Sequence, residues 1–238
     1  MKLKKFLSIL FIISWVFCNG CVNVFAMNTG FTTKDVSPES WKGFLSNINL
    51  LLVTEEPEKA PIKCFDVSDS EMIAVGFKTL SNTYISVYDK EGIFQYGYVF
   101  NCNQGFEVQW DGTNLIIYFF RSGVAASFDS RGNNIEVKEV ENTVENSIYL
   151  NNSLSPTERI VNKNKYTIKN NIWILNIFAF SYSQVVKTDS EGNETILYDV
   201  SIFKTVRTIV VFTCILLFLG LIIGGSKREF DKAKVKQK

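Results

Sequence analysis

Residues Tyr84–Phe94 read Tyr-Ile-Ser-Val-Tyr-Asp-Lys-Glu-Gly-Ile-Phe, a β-rich run that stops at an Asp-x-x-Gly motif and then resumes. The same motif follows two other β-rich runs, at Asp129–Gly132 and Asp189–Gly192. In such a motif the aspartate can cap its own turn and the glycine can adopt positive φ, as a tight hairpin connection requires. The three motifs therefore predict three β-hairpins.

Each hairpin belongs to a predicted unit of four antiparallel strands. The first unit comprises Lys63–Val67, Met72–Phe77, Tyr84–Tyr88 and Phe94–Phe100. The second comprises Phe106–Trp110, Leu115–Phe120, Ala125–Phe128 and Ile135–Val140, and the third Tyr166–Lys169, Ile172–Phe180, Gln184–Thr188 and Glu194–Tyr198. A polar stretch, residues 141–165, separates the second unit from the third and is interpreted as an insertion. A meander that recurs roughly every 40 residues has the period of a β-propeller blade.

Residues 62–199 resemble the blades of β-propeller repeat proteins of the WD-repeat and NHL-repeat type. The resemblance rests on the apolar strands, on Val87–Gly92 and on the following Phe94, while the Gly-His and terminal Trp-Asp signatures are missing. Propellers close with four to eight blades, so three units predict an open propeller-like arc. A curved or sandwiched meander that never closes is the alternative. The predicted class is an all-β extracytoplasmic domain with one N-terminal helix and one C-terminal transmembrane helix.

Residues 27–61 are predicted to form an amphipathic helix and a linker. Ser37 precedes Pro38 in the arrangement of a helix N-cap, and apolar residues then recur at helical spacing as far as Leu52. The segment Glu55–Pro61 is charged and contains two prolines, which is typical of a linker. We expect the helix to cover one exposed sheet edge and the insertion at 141–165 to cover another.

The first 26 residues have the order of a secretory signal peptide. Three lysines precede an apolar run over Phe6–Phe17, and small and polar residues follow as far as Ala26. Cleavage after Ala26 is the preferred interpretation. An uncleaved anchor and a lipoprotein modified at Cys18 or Cys21 are the alternatives.

Residues 206–225 are predicted to form a transmembrane helix, because Ile209–Gly225 contains no charged residue over 17 positions. The tail, residues 226–238, carries six basic and two acidic side chains, whereas residues 27–207 carry 16 basic and 22 acidic ones. The positive-inside rule places the tail in the cytoplasm and the preceding domain outside a single-pass cell membrane protein. Thr213, Gly220 and Gly224 lie on one stripe of this helix, which could support a homodimer.

Only Cys64 and Cys102 among the five cysteines lie outside the predicted signal and membrane segments. In an exported domain they could form a disulfide that closes a loop. The alternative is two small residues packed on strands.

The chain contains no histidine, so the commonest general base and the imidazole metal ligand are missing. A formal net charge of +1 disfavours a nucleic-acid partner. No cofactor, metal site or catalytic residue is assigned; the turn residues Asp189, Glu191 and Asn193 fall short of calcium-loop spacing. The sequence favours a binding module for a protein or envelope ligand beside the lipid bilayer. Aromatic side chains are the candidate contacts: Tyr96, Tyr98, Phe100, Trp110, Phe119, Phe120 and Tyr182.

The alternative function is a membrane-tethered hydrolase that uses a pair of carboxylates. Asp66 with Asp69 and Asp111 with Glu107 are the candidate pairs. Such an enzyme requires both carboxyl groups in one pocket, at a separation of up to about 10 Å.

Overall fold

A computed structural model describes residues 27–150, 156–172, 176, 181–202, 205–206, 209–211, 213–214 and 218. The predicted signal peptide and the basic tail lie outside these residues. So do Gly220 and Gly224, two of the three residues predicted to form a helix contact.

The described chain is mainly β structure in three antiparallel sheets. Sheet I has the order β2-β6-β5-β4-β3 and comprises Leu51–Val53, Phe94–Phe100, Thr83–Tyr88, Ile73–Lys78 and Ile62–Val67. Sheet II has the order β1-β10-β9-β8-β7 and comprises Thr33–Asp35, Asn134–Val140, Val124–Phe128, Asn114–Phe119 and Phe106–Asp111. Sheet III has the order β11-β12-β13-β14 and comprises Glu158–Val161, Asn164–Lys169, Gln184–Thr188 and Glu194–Asp199. The eight strands predicted for the first two units are all present, with bounds that differ by at most one residue.

The three Asp-x-x-Gly turns have the predicted structure. The Asp89 carboxylate accepts hydrogen bonds from two backbone N–H groups, at 3.0 Å from Glu91 and 2.9 Å from Ile93. Asp129 and Asp189 accept the equivalent pairs of bonds in their own turns. The three glycines have φ values between 82° and 91°, a region that other residues seldom adopt.

Sheet I lies between sheets II and III and is buried on both faces. One apolar cluster joins it to sheet II, with Ile85, Tyr98 and Phe128 among its members. A second cluster joins its other face to sheet III, with Phe77 and Tyr166 among its members. A strand that is buried on both faces needs apolar residues at consecutive positions, which explains the continuous run Ile73–Phe77.

In space the first unit lies between the second and the third, whereas the blades of a propeller follow one another in chain order. No closed propeller or barrel forms among the described residues. The two interfaces nevertheless share one kind of aromatic contact. The Tyr98 ring packs on Phe128 with centroids 6.1 Å apart, and the Tyr198 ring packs on Tyr88 with centroids 5.8 Å apart. Each pair joins the fourth strand of one unit to the third strand of its neighbour.

In the two terminal units, polar residues occupy the positions that would form the same aromatic contact with a further unit. Tyr98 and Tyr198 stand nine residues after their turn aspartates, and in the second unit that position is Lys138, which forms ion pairs with Asp35 and Glu136. The aromatic residue before the turn is replaced by Thr188 in the third unit. Polar outer positions are what terminal units of a repeat array require, so the array ends after three sheets.

The predicted third unit differs from sheet III in the order of its first strands, because Tyr166–Lys169 lies in the second strand and not in the first. The first strand of sheet III is Glu158–Val161, inside the stretch interpreted as an insertion, and the second is Asn164–Lys169. The predicted strand at 172–180 lies mostly outside the described residues, and β12 pairs directly with β13. The misassignment has a physical cause: β11 and β12 pack on sheet I by one face only, so alternate residues such as Lys165 and Thr167 are polar.

The predicted N-terminal helix is present but ends early. Helix α1 spans Pro38–Ile48, and the Ser37 hydroxyl caps it by accepting a bond from the Ser40 N–H. Asn49 adopts a left-handed conformation (φ 45°) that stops the helix, so Leu51–Val53 forms β2. The edges of β6 and β10 are therefore covered by the strands β2 and β1, and not by the predicted helix.

The helix instead packs by its apolar stripe on the cluster between sheets I and II. The stretch 141–165 contains a second helix, α2 (Val144–Tyr149), whose Tyr149 packs on Phe31 beside the outer face of sheet II.

The predicted membrane helix is described at too few positions to be traced. Residues 201–202, 205–206, 209–211, 213–214 and 218 are helical, and no helix in the described part of the chain is long and apolar enough to cross a membrane. The Thr213 hydroxyl donates to the Ile209 carbonyl at 2.8 Å, within its own helix. The span stays a prediction from sequence.

Close packing between sheets I and II gives the first testable prediction, at Gly76. A Cβ there would lie 2.4 Å from the Cys64 Sγ and 2.8 Å from the Phe106 ring. Gly76→Ala is expected to lower the free energy of unfolding by about 1–3 kcal/mol, because the core is already filled. Gly43→Ala is the matched control, since a Cβ at this exposed position in α1 meets no atom within 4 Å. That change should raise stability by about 0.5–1 kcal/mol, and equal effects in denaturant titrations would contradict the packing.

Candidate functional site

The first strands of the three units, β3, β7 and β11, meet at one carboxylate. We call them the inner strands. Asp66, on β3, accepts a hydrogen bond from the Trp110 backbone N–H of β7 at 2.7 Å. Its other oxygen accepts from the Arg159 Nε of β11 at 2.5 Å. The side chain of Asp66 is only 6% exposed, and that of Arg159 is 28% exposed. A buried charge requires such partners, so Asp66 joins sheet I to sheets II and III at once.

A second carboxylate, Glu71, joins the β3–β4 turn to sheet III. It accepts hydrogen bonds from the Lys187 Nζ at 2.9 Å, from the Tyr166 hydroxyl at 2.7 Å and from the side-chain amides of Asn162 and Asn164. These donors, led by Lys187, lower the pKa of Glu71 to about 2. Glu71 is therefore ionised over the physiological pH range and holds four side chains of sheet III.

A cleft of about 450 Å³ opens beside Asp66, where the three inner strands meet helix α2. Its lining is contributed by all three sheets and by α2: Asp66, Val67, Ser68, Asp69, Gln109, Trp110, Gly112, Tyr149, Arg159, Ile160 and Val161. A cleft assembled from several elements around polar groups is the usual form of a small-ligand site. We take it as the candidate functional site.

The polar groups of this cleft offer both donors and an acceptor. Among the described residues, the Arg159 side chain forms a hydrogen bond only from its Nε, to Asp66. Its two terminal nitrogens remain as donors. The Gln109 Oε1 accepts from the Tyr118 hydroxyl at 2.9 Å, so the Gln109 amide NH₂ is its remaining donor. Asp69 is exposed at the rim and supplies a carboxylate acceptor. The cleft is suited to a polar ligand that presents both acceptors and a donor.

Two other depressions are each lined by strands of one sheet together with neighbouring loop or helix residues. One, of about 390 Å³, lies over the outer face of sheet II between Phe120 and α2. The other, of about 720 Å³, lies beside the β4–β5 turn at Leu80 and Tyr84. Neither collects side chains from all three sheets.

Only Trp110, among the seven aromatic residues predicted as contacts, lines the cleft. Tyr98, Phe100 and Phe119 are buried in the core, as alternation along a strand requires for half of such residues. Tyr96 and Tyr182 are half-buried, and Phe120 is exposed in the β8–β9 turn beside the 390 Å³ depression.

Sequence reasoning missed Gln109, Tyr149 and Arg159 as cleft residues. Arg159 and Tyr149 lie in the stretch interpreted as an insertion, and polar residues there carry no periodic signal. An isolated arginine such as Arg159 can be recognised as a site residue only once its carboxylate partner is known.

The two predicted carboxylate pairs lie in different surroundings, and only one of them lines the cleft. Asp66 and Asp69 both line the cleft, but both Asp66 oxygens already accept bonds from protein groups. Asp111 accepts from the Asn28 N–H at 3.0 Å, and Glu107 is buried four residues earlier on β7. At about 3.3 Å per strand residue these two positions are about 13 Å apart along the strand, beyond the range of a glycosidase pair.

Cys64 and Cys102 are both free thiols, so the structure does not contain the disulfide that the sequence allowed. Cys64 is fully buried on β3, and burial raises the pKa of its thiol, with the charges of Glu107 and Asp66 adding to the effect. Cys102 lies after β6, and its thiol donates to the Gln104 carbonyl at 3.4 Å. Within the described residues, no group of three or more Cys, Asp or Glu side chains is placed to hold a metal ion.

Comparisons of the chain with protein-family models, with curated proteins and with solved structures find no match.

The Glu71 cluster gives a prediction about acid stability. Because the pKa of Glu71 is about 2 in the folded chain and its ordinary value is 4.5, the carboxylate stabilises the fold fully above pH 4.5. That contribution, about 3 kcal/mol, is lost as the pH falls from about 4.5 toward 2. Glu71→Gln should remove this part of the pH dependence in unfolding titrations between pH 2 and 7.

Glu194→Gln is the matched control, since its carboxylate pairs with Lys169 at the surface and is 56% exposed. An unchanged acid profile in Glu71→Gln would show that the cluster does not hold sheet III.

Proposed function

We propose that this chain is a single-pass membrane protein of the cell envelope whose extracytoplasmic β domain is a binding module, with its ligand in the cleft beside Asp66. The observation that carries the proposal is the composition of that cleft, which is lined by all three sheets and by helix α2. The ends of the chain support the location: a signal-like first 26 residues, an apolar stretch at 206–225 and a basic tail.

The rigidity of the cleft also favours binding. Asp66 and Glu71 fix β3 and its turn against sheets II and III, so the cleft walls are held by buried charge-assisted bonds. A preformed site loses little conformational entropy when a ligand enters. The Arg159 guanidinium and the Gln109 amide NH₂ then set the orientation of a polar ligand, and the Trp110 and Tyr149 side chains supply aromatic surface.

The hydrolase alternative fits the same cleft less well. Asp66 is one member of the pair that lines it, and each of its oxygens already accepts a hydrogen bond from a protein group. Asp69 alone is exposed there, and a glycosidase needs two available carboxyl groups. We therefore assign Asp66 a structural role and Asp69 a contact to the ligand.

Site-specific photo-crosslinking in intact membranes tests the binding site. A photoreactive amino acid at position 69, on the rim of the cleft, is expected to give a light-dependent adduct with the ligand or partner. The control is position 80, because Leu80 is fully exposed in the β4–β5 turn, outside the cleft lining. No adduct at position 69, or equal adducts at both positions, would contradict a site in the cleft.

Protease protection tests the proposed topology. Protease added to protoplasts should remove the β domain and leave a fragment that contains Lys227–Lys238, because the basic tail is retained on the cytoplasmic side. A protected β domain would show that the orientation is inverted.

A further inference from the structure

The backbone at the start of the described chain is bound by two carboxylates. The Met27 N–H donates to the Glu136 Oε2 at 2.6 Å, and the Asn28 N–H donates to the Asp111 Oδ2 at 3.0 Å. Glu136 lies on β10 and Asp111 at the end of β7, the fourth and the first strand of the second unit. The segment that follows is packed: the Phe31 ring lies 4.9 Å from Tyr118, centroid to centroid.

The charges around Glu136 are unequal. Lys138 forms ion pairs with both Glu136, at 2.8 Å, and Asp35, at 2.6 Å. One ammonium group therefore faces two carboxylates, and the bond to Asp35 raises the pKa of Lys138. The Glu136 side chain is only 19% exposed, so solvent screens its charge incompletely. A second positive charge, at the Met27 nitrogen, would balance the two negative charges of Glu136 and Asp35 against two positive ones.

Processing of the predicted signal peptide would supply that charge. Val24-Phe25-Ala26 places a small residue directly before Met27, as a signal peptidase site requires. Hydrolysis adds water across the Ala26–Met27 peptide bond and gives a carboxylate on Ala26 and an α-ammonium group on Met27. An α-amino group has an ordinary pKa of about 7.7–8.0, so it is largely protonated at neutral pH.

We propose that signal cleavage after Ala26 creates an α-ammonium group that forms an ion pair with Glu136 and fixes residues 27–35 against sheet II. The inference shares the signal peptide with the proposed function and does not depend on the cleft. The segment it fixes includes Gly30, whose backbone approaches the Tyr149 ring too closely for any Cβ, and β1, which pairs with β10. The processed terminus thereby completes the outer cover of sheet II.

The first test is the mass and terminal sequence of the full chain after expression in a bacterial host and extraction from its membranes. The mature chain is expected to begin at Met27. A chain that begins at Met1, or at a residue other than Met27, would overturn the proposal.

The second test measures acylation of the α-amine by a limiting reagent across pH 6–10. In the wild type the Glu136 carboxylate should raise the pKa of this amine, so that it reacts about tenfold more slowly at pH 8 than in Glu136→Gln. The charged groups nearest the amine are Glu136, Lys138, Asp35 and Asp111. Glu139→Gln is the matched control on the same strand, because Glu139 pairs with Lys34.

A third variant keeps the test decisive if Glu136→Gln does not fold. One alanine inserted between Ala26 and Met27 moves the ammonium group by about 3.3 Å and leaves Glu136 in place. Its α-amine should react like that of an unpaired terminus. A mature chain that begins at Met27 but reacts as fast as the inserted variant would overturn the ion pair while leaving the processing site, and the cleft, unaffected.

Discussion

The Asp66 carboxylate determines how the three sheets meet, because its two oxygens bind one group from each neighbouring sheet. Trp110 on β7 and Arg159 on β11 have no backbone pairing with β3, so Asp66 connects these three strands at one point, while Glu71 adds polar bonds between sheets I and III. Desolvating a carboxylate is costly, and two charge-assisted bonds offset that cost only when both donors are correctly placed. The interaction thus specifies the arrangement of the sheets more than it adds to stability, and both of its side chains line the cleft that forms the candidate site.

The number of sheets follows from a second constraint, the burial of sheet I on both faces. Its fourth strand presents Tyr98 to sheet II, and its third strand presents Tyr88 to sheet III. The same two positions at the ends of the array are Lys138 and Thr188, which cannot form that aromatic contact. The resemblance to propeller blades therefore holds for the single unit and fails for the assembly, since two consecutive units, the second and the third, lie on opposite sides of the first.

Local signals in the sequence were sufficient for most strands and insufficient for the site. A turn motif or an apolar run is a signal contained within a few residues. The turn at Asp89 and Gly92 could therefore be predicted without knowledge of the fold. The order of the sheets depends on contacts more than 90 residues apart, such as Arg159 with Asp66, which leave no periodic pattern. The strand Glu158–Val161 of sheet III was missed for a related reason, because a strand with one buried face has half the apolar residues that identified the others. Asp66 is predicted from the sequence only as one member of a carboxylate pair, and the sequence does not predict its partner Arg159.

A double-mutant cycle on Asp66 and Arg159 tests this account most directly. Denaturant unfolding of the wild type, Asp66→Ala, Arg159→Ala and the double variant gives the coupling free energy between the two side chains. The account predicts a coupling of at least about 1.5 kcal/mol, because the pair is largely buried and joins two sheets. The exposed pair Lys169 and Glu194, measured in the same way, should give no more than about 1 kcal/mol. A coupling between Asp66 and Arg159 no larger than that of the exposed pair would contradict the claim that Asp66 holds the three sheets together.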